Sequence, residues 1–184
     1  MQIQTIPVSD SPNNDAFEGI VELYYQITGH ITSVGKWFWV YDPVKKQRGY
    51  QDIDVLAVNA TETVIVSVTS NLDDKINTQN GLINIEKMAK LKEHFSRVEK
   101  YLCEVPQYQW LATKDIKYVV AYIGAAKRTL PFVTEELDKN GIHLVSCDSM
   151  FKVLKCHVEK PNIKVQNQVL RTVQIMHKYL PEQN

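Results

Sequence analysis

QDIDVLAVNATETVIVSVTS, residues Gln51 to Ser70, decides the fold. Both halves are rich in β-branched residues and the polar NATET lies between them, so the stretch predicts two strands joined by a tight turn. Strand side chains alternate with period two. On that phase Asp52 and Asp54 share one face of the first strand, and Ser67 and Thr69 share one face of the second. Two acids opening an apolar strand beside two hydroxyls make either the remnant of a metal site or the polar end of a hairpin.

Working outward, DAFEGIVELYYQITG predicts a helix. Asp15 is its N-cap, Glu18 completes a capping box, and Phe17, Ile20, Val21, Tyr24 and Ile27 form an apolar stripe that stops at Gly29. HITSVGKWFWVYD predicts a strand, DPVKKQRG a basic turn, and NLDDKINTQNG a polar loop. Ile85, Met88, Leu91, Phe95, Val98 and Leu102 mark a long amphipathic helix from about Asn84. IKYVVAYIG and IHLVS predict strands covered on both faces, separated by a helix in LPFVTEELDKNG. A short helix follows Asp148, and Val165, Val169, Val173, Met176 and Leu180 predict a C-terminal one. A meander of strands feeding into strands separated by helices implies an α/β fold, with a mixed central sheet and helices on both faces.

A chain of 184 residues is most simply one domain, with residues 1–14 a loose leading segment. Lys plus Arg equals Asp plus Glu at 21 each, so a dominant basic field of the kind non-specific nucleic-acid binders carry is absent. The strongest apolar run, Tyr118 to Ala126, falls far short of the roughly 20 residues a membrane span needs, so no membrane partner is expected. The opening MQIQTIPVSD lacks the basic and apolar blocks of a secretory signal. Cys103, Cys147 and Cys156 have no CxxC spacing and read as reduced thiols of a cytoplasmic protein. The five histidines form no HxH or HExxH pair, and neither GxSxG nor a phosphate-cradling glycine motif occurs.

The helix bearing Glu22, the strands GYQDIDVLAVN and TVIVSVTS, the long helix with its following IKYVVAYIG, and KNGIHLVSCDSMFKVL together resemble the PD-(D/E)XK nuclease superfamily. The resemblance runs from Asp15 to Leu154 and implies a restriction-endonuclease-like fold. It implies that Asp54 and Glu22 are the metal-binding acids, serving magnesium or manganese, and that the substrate is DNA. The family's carboxylate-x-lysine falls on Ser67-Val68-Thr69, where this sequence departs from the pattern.

Such a site needs a hard cation held by oxygen ligands and a positive group beside the charge that develops on phosphorus. Serine and threonine supply neither the second acid nor the cation. Each loss costs a factor of about a hundred to a thousand, the scale of removing one preorganised electrostatic group. The expectation is a degenerate site, inactive or weakly active, in a protein that binds nucleic acid or another protein. Alternatives are an active endonuclease with a relocated lysine or carboxylate, drawn from Asp73, Asp74, Lys75, Glu86, Lys87 or Lys90, and a structural homodimer. Lys45, Lys46, Arg48, Lys127 and Arg128 are the candidate DNA contacts, with a further basic cluster at Lys152 and Lys155. Trp37 and Trp39 share a face, expected to pack under a helix more readily than to stack on bases.

Overall fold

The computed structural model describes residues 16–41, 47–76 and 83–159, with 171, 174 and 175 beyond them. The first helix, α1 (Ala16–Ile27), buries Phe17, Val21 and Tyr25, one face of the expected stripe. Gly29 ends it at φ 92°, a left-handed conformation that costs glycine little. His30 N–H then reaches back to the Tyr25 carbonyl and Gly29 N–H to Gln26, satisfying carbonyls the helix leaves open. The Asp15 cap lies outside the described residues.

The sheet comprises β1 (Ile31–Tyr41), β2 (Gln47–Val58), β3 (Glu62–Asn71), β4 (Asp115–Gly124) and β5 (Ile142–Ser146). Their spatial order is β1-β2-β3-β4-β5, antiparallel among the first three and parallel from β3 to β5. The β2–β3 turn is set by Asn59, whose Oδ1 accepts from the amides of Thr61 and Glu62. The remaining helices are α2 (Leu72–Ile76), α3 (Ile85–Glu104), α4 (Gln109–Ala112), α5 (Leu130–Lys139) and α6 (Cys147–Val158).

Parallel strands need crossovers, and right-handed crossovers advancing in one direction put their helices on one face. Accordingly α3, α4 and α5 bring Phe95, Val98, Leu111 and Leu137 to the side of the sheet that carries Ile53, Leu56, Ile65 and Val120. On the other side α1 and α6 bring Phe17, Val21 and Met150 against Val55, Ala57, Val66 and Val119. Each of these large apolar side chains contributes about 1.5–3 kcal/mol by leaving water. The α/β class, the mixed sheet and the two helical layers are as expected.

Several details differ. The expected loop after β3 is helical at its start, since Asn71 Oδ1 caps the Asp73 amide and Leu72 and Ile76 anchor the turn from below. The short helix α4 has no periodic pattern of its own. Strand β2 begins at Gln47, inside the expected basic turn. The expected C-terminal helix lies outside the described residues, apart from 171, 174 and 175, which are helical. None of the described helices is long and apolar enough to cross a membrane.

Candidate functional site

The β2–β3 ladder runs only from Val58–Thr63 to Val55–Val66. Beyond it β2 continues paired to β1 as far as Gln47, and β3 continues paired to β4 as far as Asn71. The sheet therefore forks, and Asp54, Ser67 and Val68 stand where the two arms part.

Glycine in β1 shapes this fork. Gly35 takes φ 61°, between Val34 (paired to Val55) and Lys36 (paired to Ile53), and thus opposite Asp54. Val55 and Ala57 pack under α1, yet Ile53, of the same parity, packs under α3. The alternation flips at Asp54, so the period that was expected to join Asp52 and Asp54 on one face is broken there. The flip also corrects the expectation for the tryptophans. Trp37 and Trp39 lie beyond the reach of α1 and α6 and stay 36% and 40% exposed.

Asp54 is partly buried, and its Oδ2 accepts the Val68 amide at 2.6 Å and the Ser67 hydroxyl at 3.3 Å. The two side chains from the fold-deciding stretch do meet. Burial raises the Asp54 carboxyl above its usual range, and the neighbouring Asp52 charge adds to this; the Val68 amide, the Lys75 charge and Ser67 oppose it. Ser67 is 1% exposed. Thr69 turns elsewhere, its hydroxyl donating to the Asn71 carbonyl and accepting the Asn71 amide.

Glu22 does not join the group. Its carboxylate accepts from Thr32 at 3.0 Å and Gln26 at 3.2 Å. Thr32 pairs with Ala57, three residues along β2 from Asp54, or about 10 Å at the rise of a strand. The reason is the register of α1 on the sheet: its buried face rests against the closed ladder rather than the fork.

Two residues that sequence reasoning passed over or left undecided bear on this region through their charge or burial. Lys75, on α2, is near enough for its charge to act on both Asp54 and His94. Burial holds the His94 imidazole below its ordinary range, helped by the Lys75 and Arg97 charges and opposed by Asp52. His94 sits on the buried stripe, three residues after Leu91 and four before Val98, and that spacing was the signal for it. Two buried polar atoms, His94 Nε2 and Gln51 Oε1, have no hydrogen-bond partner among the described residues.

Among the described residues no three His, Cys, Asp or Glu side chains converge as a metal would require. One oxygen of Asp54 is committed to backbone, Ser67 donates to it, and Thr69 and Glu22 face away. This donor set does not fit a resident divalent cation, which wants six or more oxygens with at least one or two carboxylates free to bind.

Of the candidate DNA contacts, Lys127 and Arg128 are exposed in the turn between β4 and α5. That turn is fastened to the start of α2: Asp73 accepts the Ala126 amide at 2.6 Å and the Thr129 hydroxyl at 3.1 Å. Asp73 is thus a loop fastener, and Asp74 accepts from Asn71 Nδ2 at 2.8 Å. The turn stands at the carboxyl ends of the parallel strands, where open α/β sheets place their ligands. Lys45 and Lys46 lie outside the described residues, and Arg48 lies on β2 without a described side chain.

No protein-family model matches the chain, and no curated protein matches it. A solved structure, that of a protein of unknown function, AF1548, superposes with a TM-score of 0.50 at 13% identity. The match covers 83% of this chain and 73% of the other. At that identity the likeness is one of fold.

Proposed function

We propose that this is a restriction-endonuclease-like protein that keeps the forked sheet of a nuclease, has lost the means to cut, and works by binding nucleic acid. The observation that carries the reading is the use made of Asp54. A carboxylate serving a metal would present its oxygens to the cation, whereas this one caps the amide that β3 frees where the strands part. With Ser67 and Thr69 where the family carries its second acid and its lysine, the pocket lacks the grip on magnesium and the charge that hydrolysis of a phosphodiester needs. The exposed Lys127–Arg128 turn, at the same end of the sheet, offers the phosphate contacts.

Purified protein incubated with duplex, single-stranded and branched DNA plus magnesium or manganese is expected to leave the substrates intact. Binding to the same DNA is expected to weaken with salt, and Lys127→Ala with Arg128→Ala to lower the slope of log K against log salt by about two. Robust cleavage abolished by Asp54→Ala overturns the reading.

One observation favours a second reading, a nuclease with a relocated lysine. Lys75 brings its charge to bear on Asp54 from α2, a short distance along the chain from the position where the family carries its lysine. On that reading manganese-dependent cleavage appears and Lys75→Gln removes it while the fold stays intact.

A further inference from the structure

The arm of the hairpin outside the fork has an unusual surface. From Lys36 to Val40, β1 is regularly paired to β2, and beyond Val40 the register shifts. β1 is the edge of the sheet, so its outer amides and carbonyls have no ladder partner among the described residues. Edge strands are normally protected by proline, by charge, by shortness or by a cover. This one is 11 residues long, ITSVGKWFWVY, with no proline and a single charge. That charge is turned away: the Lys36 ammonium hydrogen-bonds the Tyr108 hydroxyl and lies over the Tyr108 ring, 3.8 Å from its centroid. The kink at Gly35 and the register shift after Val40 interrupt it at either end, and between them Lys36 to Val40 pair without a break.

Over that half the exposed face is aromatic. Trp39 pairs with Tyr50 across the strands, and the Tyr50 ring lies 4.7 Å from Trp37 and 5.9 Å from Trp39. Trp37, Trp39 and Tyr50 line an open hollow of about 280 Å³. Phe38 itself is buried at 3% on the other face, stacked on Tyr101, so the strand is held firmly from beneath.

We propose that this edge pairs with the same edge of a second copy of the chain. An open strand edge is recognised by another extended strand, and antiparallel pairing about a two-fold axis makes one patch its own complement. Such an axis is perpendicular to the sheet, so Trp37, Trp39 and Tyr50 of both copies meet on one face as a single aromatic cluster. Tryptophan and tyrosine are the residues that dominate the centres of protein interfaces. A formal net charge of zero leaves no long-range repulsion to keep two copies apart. The proposal concerns the hairpin arm alone and does not depend on the nuclease reading.

Sedimentation velocity of the full chain across the micromolar range is expected to show a monomer–dimer equilibrium. Trp39→Lys sets like charges against each other across the axis and is expected to weaken association by more than about tenfold. Far-ultraviolet circular dichroism verifies its fold. Should that variant misfold, Tyr50→Lys, on a residue already 59% exposed, serves the same purpose. Hydrogen exchange supplies an independent reading, since the amides of Lys36 to Val40 gain protection as concentration rises. A protein that stays monomeric throughout, or a dimer indifferent to both substitutions, overturns the proposal. So does a monomer whose tryptophan fluorescence is quenched by single-stranded oligonucleotides, which assigns the aromatics to base stacking.

Discussion

The two ends of the β2–β3 ladder each hold a carboxylate, and they treat it in opposite ways. At the closed end Glu62 meets His30 Nε2 at 3.0 Å and forms an ion pair with Lys117, and these partners hold its carboxyl below the usual range. Asn59 and Thr28 contact His30 in turn, so the C-terminal end of α1, the β2–β3 turn and β4 are fastened together. At the open end Asp54 receives the Val68 amide and the Ser67 hydroxyl by hydrogen bond, and burial raises its carboxyl instead. A fold that needed only a fastener already has one at Glu62. At Asp54 burial works against the charged form instead, and that mismatch is what sets the fork apart from the closed end.

The comparison can be tested first at its midpoint. Ile65 is completely buried between the two ends, and Ile65→Ala is expected to cost about 2–5 kcal/mol in chemical denaturation. Probes at the two ends should still lose structure together; separate transitions would divide β3 into independent halves. Next, Asp54→Ala leaves the Val68 amide without an acceptor and is expected to cost about 1–3 kcal/mol. If Asp54→Ala proves neutral, the capping role is wrong.

Asp54→Asn keeps an oxygen for that amide and removes the buried charge, so its cost is expected to stay below about 1 kcal/mol. Its pH profile is more telling. A carboxyl whose folded pKa is raised binds its proton more readily in the folded state, so its unfavourable contribution is fully present above the folded value. That contribution fades as pH falls from there to the unfolded value. Glu62 runs the other way: its favourable contribution is present above the unfolded value and is lost as pH falls through the lowered folded one. In acid titrations of stability, Asp54→Asn should therefore steepen the acid loss and Glu62→Gln should flatten it. Glu62→Gln is expected to have the smallest effect near neutrality, because the pair with Lys117 is partly solvated. Profiles that move together would erase the distinction between the ends.

Much of this was legible in the residues. Alternation and β-branching placed all five strands, the Leu91–Phe95–Val98 stripe placed the long helix, and the short NATET turn put Asp54 and Ser67 on neighbouring strands. The failures share a cause. Glu22 was assigned from the family resemblance alone, and the position at which a helix crosses a sheet is set by side-chain fit that no linear pattern displays. Trp37 and Trp39 were expected beneath a helix because large apolar side chains sharing a strand face are usually covered. A glycine inside a strand is itself a warning of a bend, and Gly35 was that warning. His94 was passed over because the histidines were compared with one another, and not His94 with the apolar stripe on which it sits. The cap at Asn71 with Leu72 and Ile76 four apart was a complete, if very short, helix signature hidden in a polar stretch.

The grip of Asp73 on Ala126 and Thr129 has a mechanical meaning. It ties the turn that carries Lys127 and Arg128 to the segment leaving β3, so a displacement of that turn strains the two hydrogen bonds of Asp73. A load applied at Lys127 or Arg128 is therefore shared with the end of β3 at Asn71, whose side chain caps the Asp73 amide, rather than borne by the turn alone.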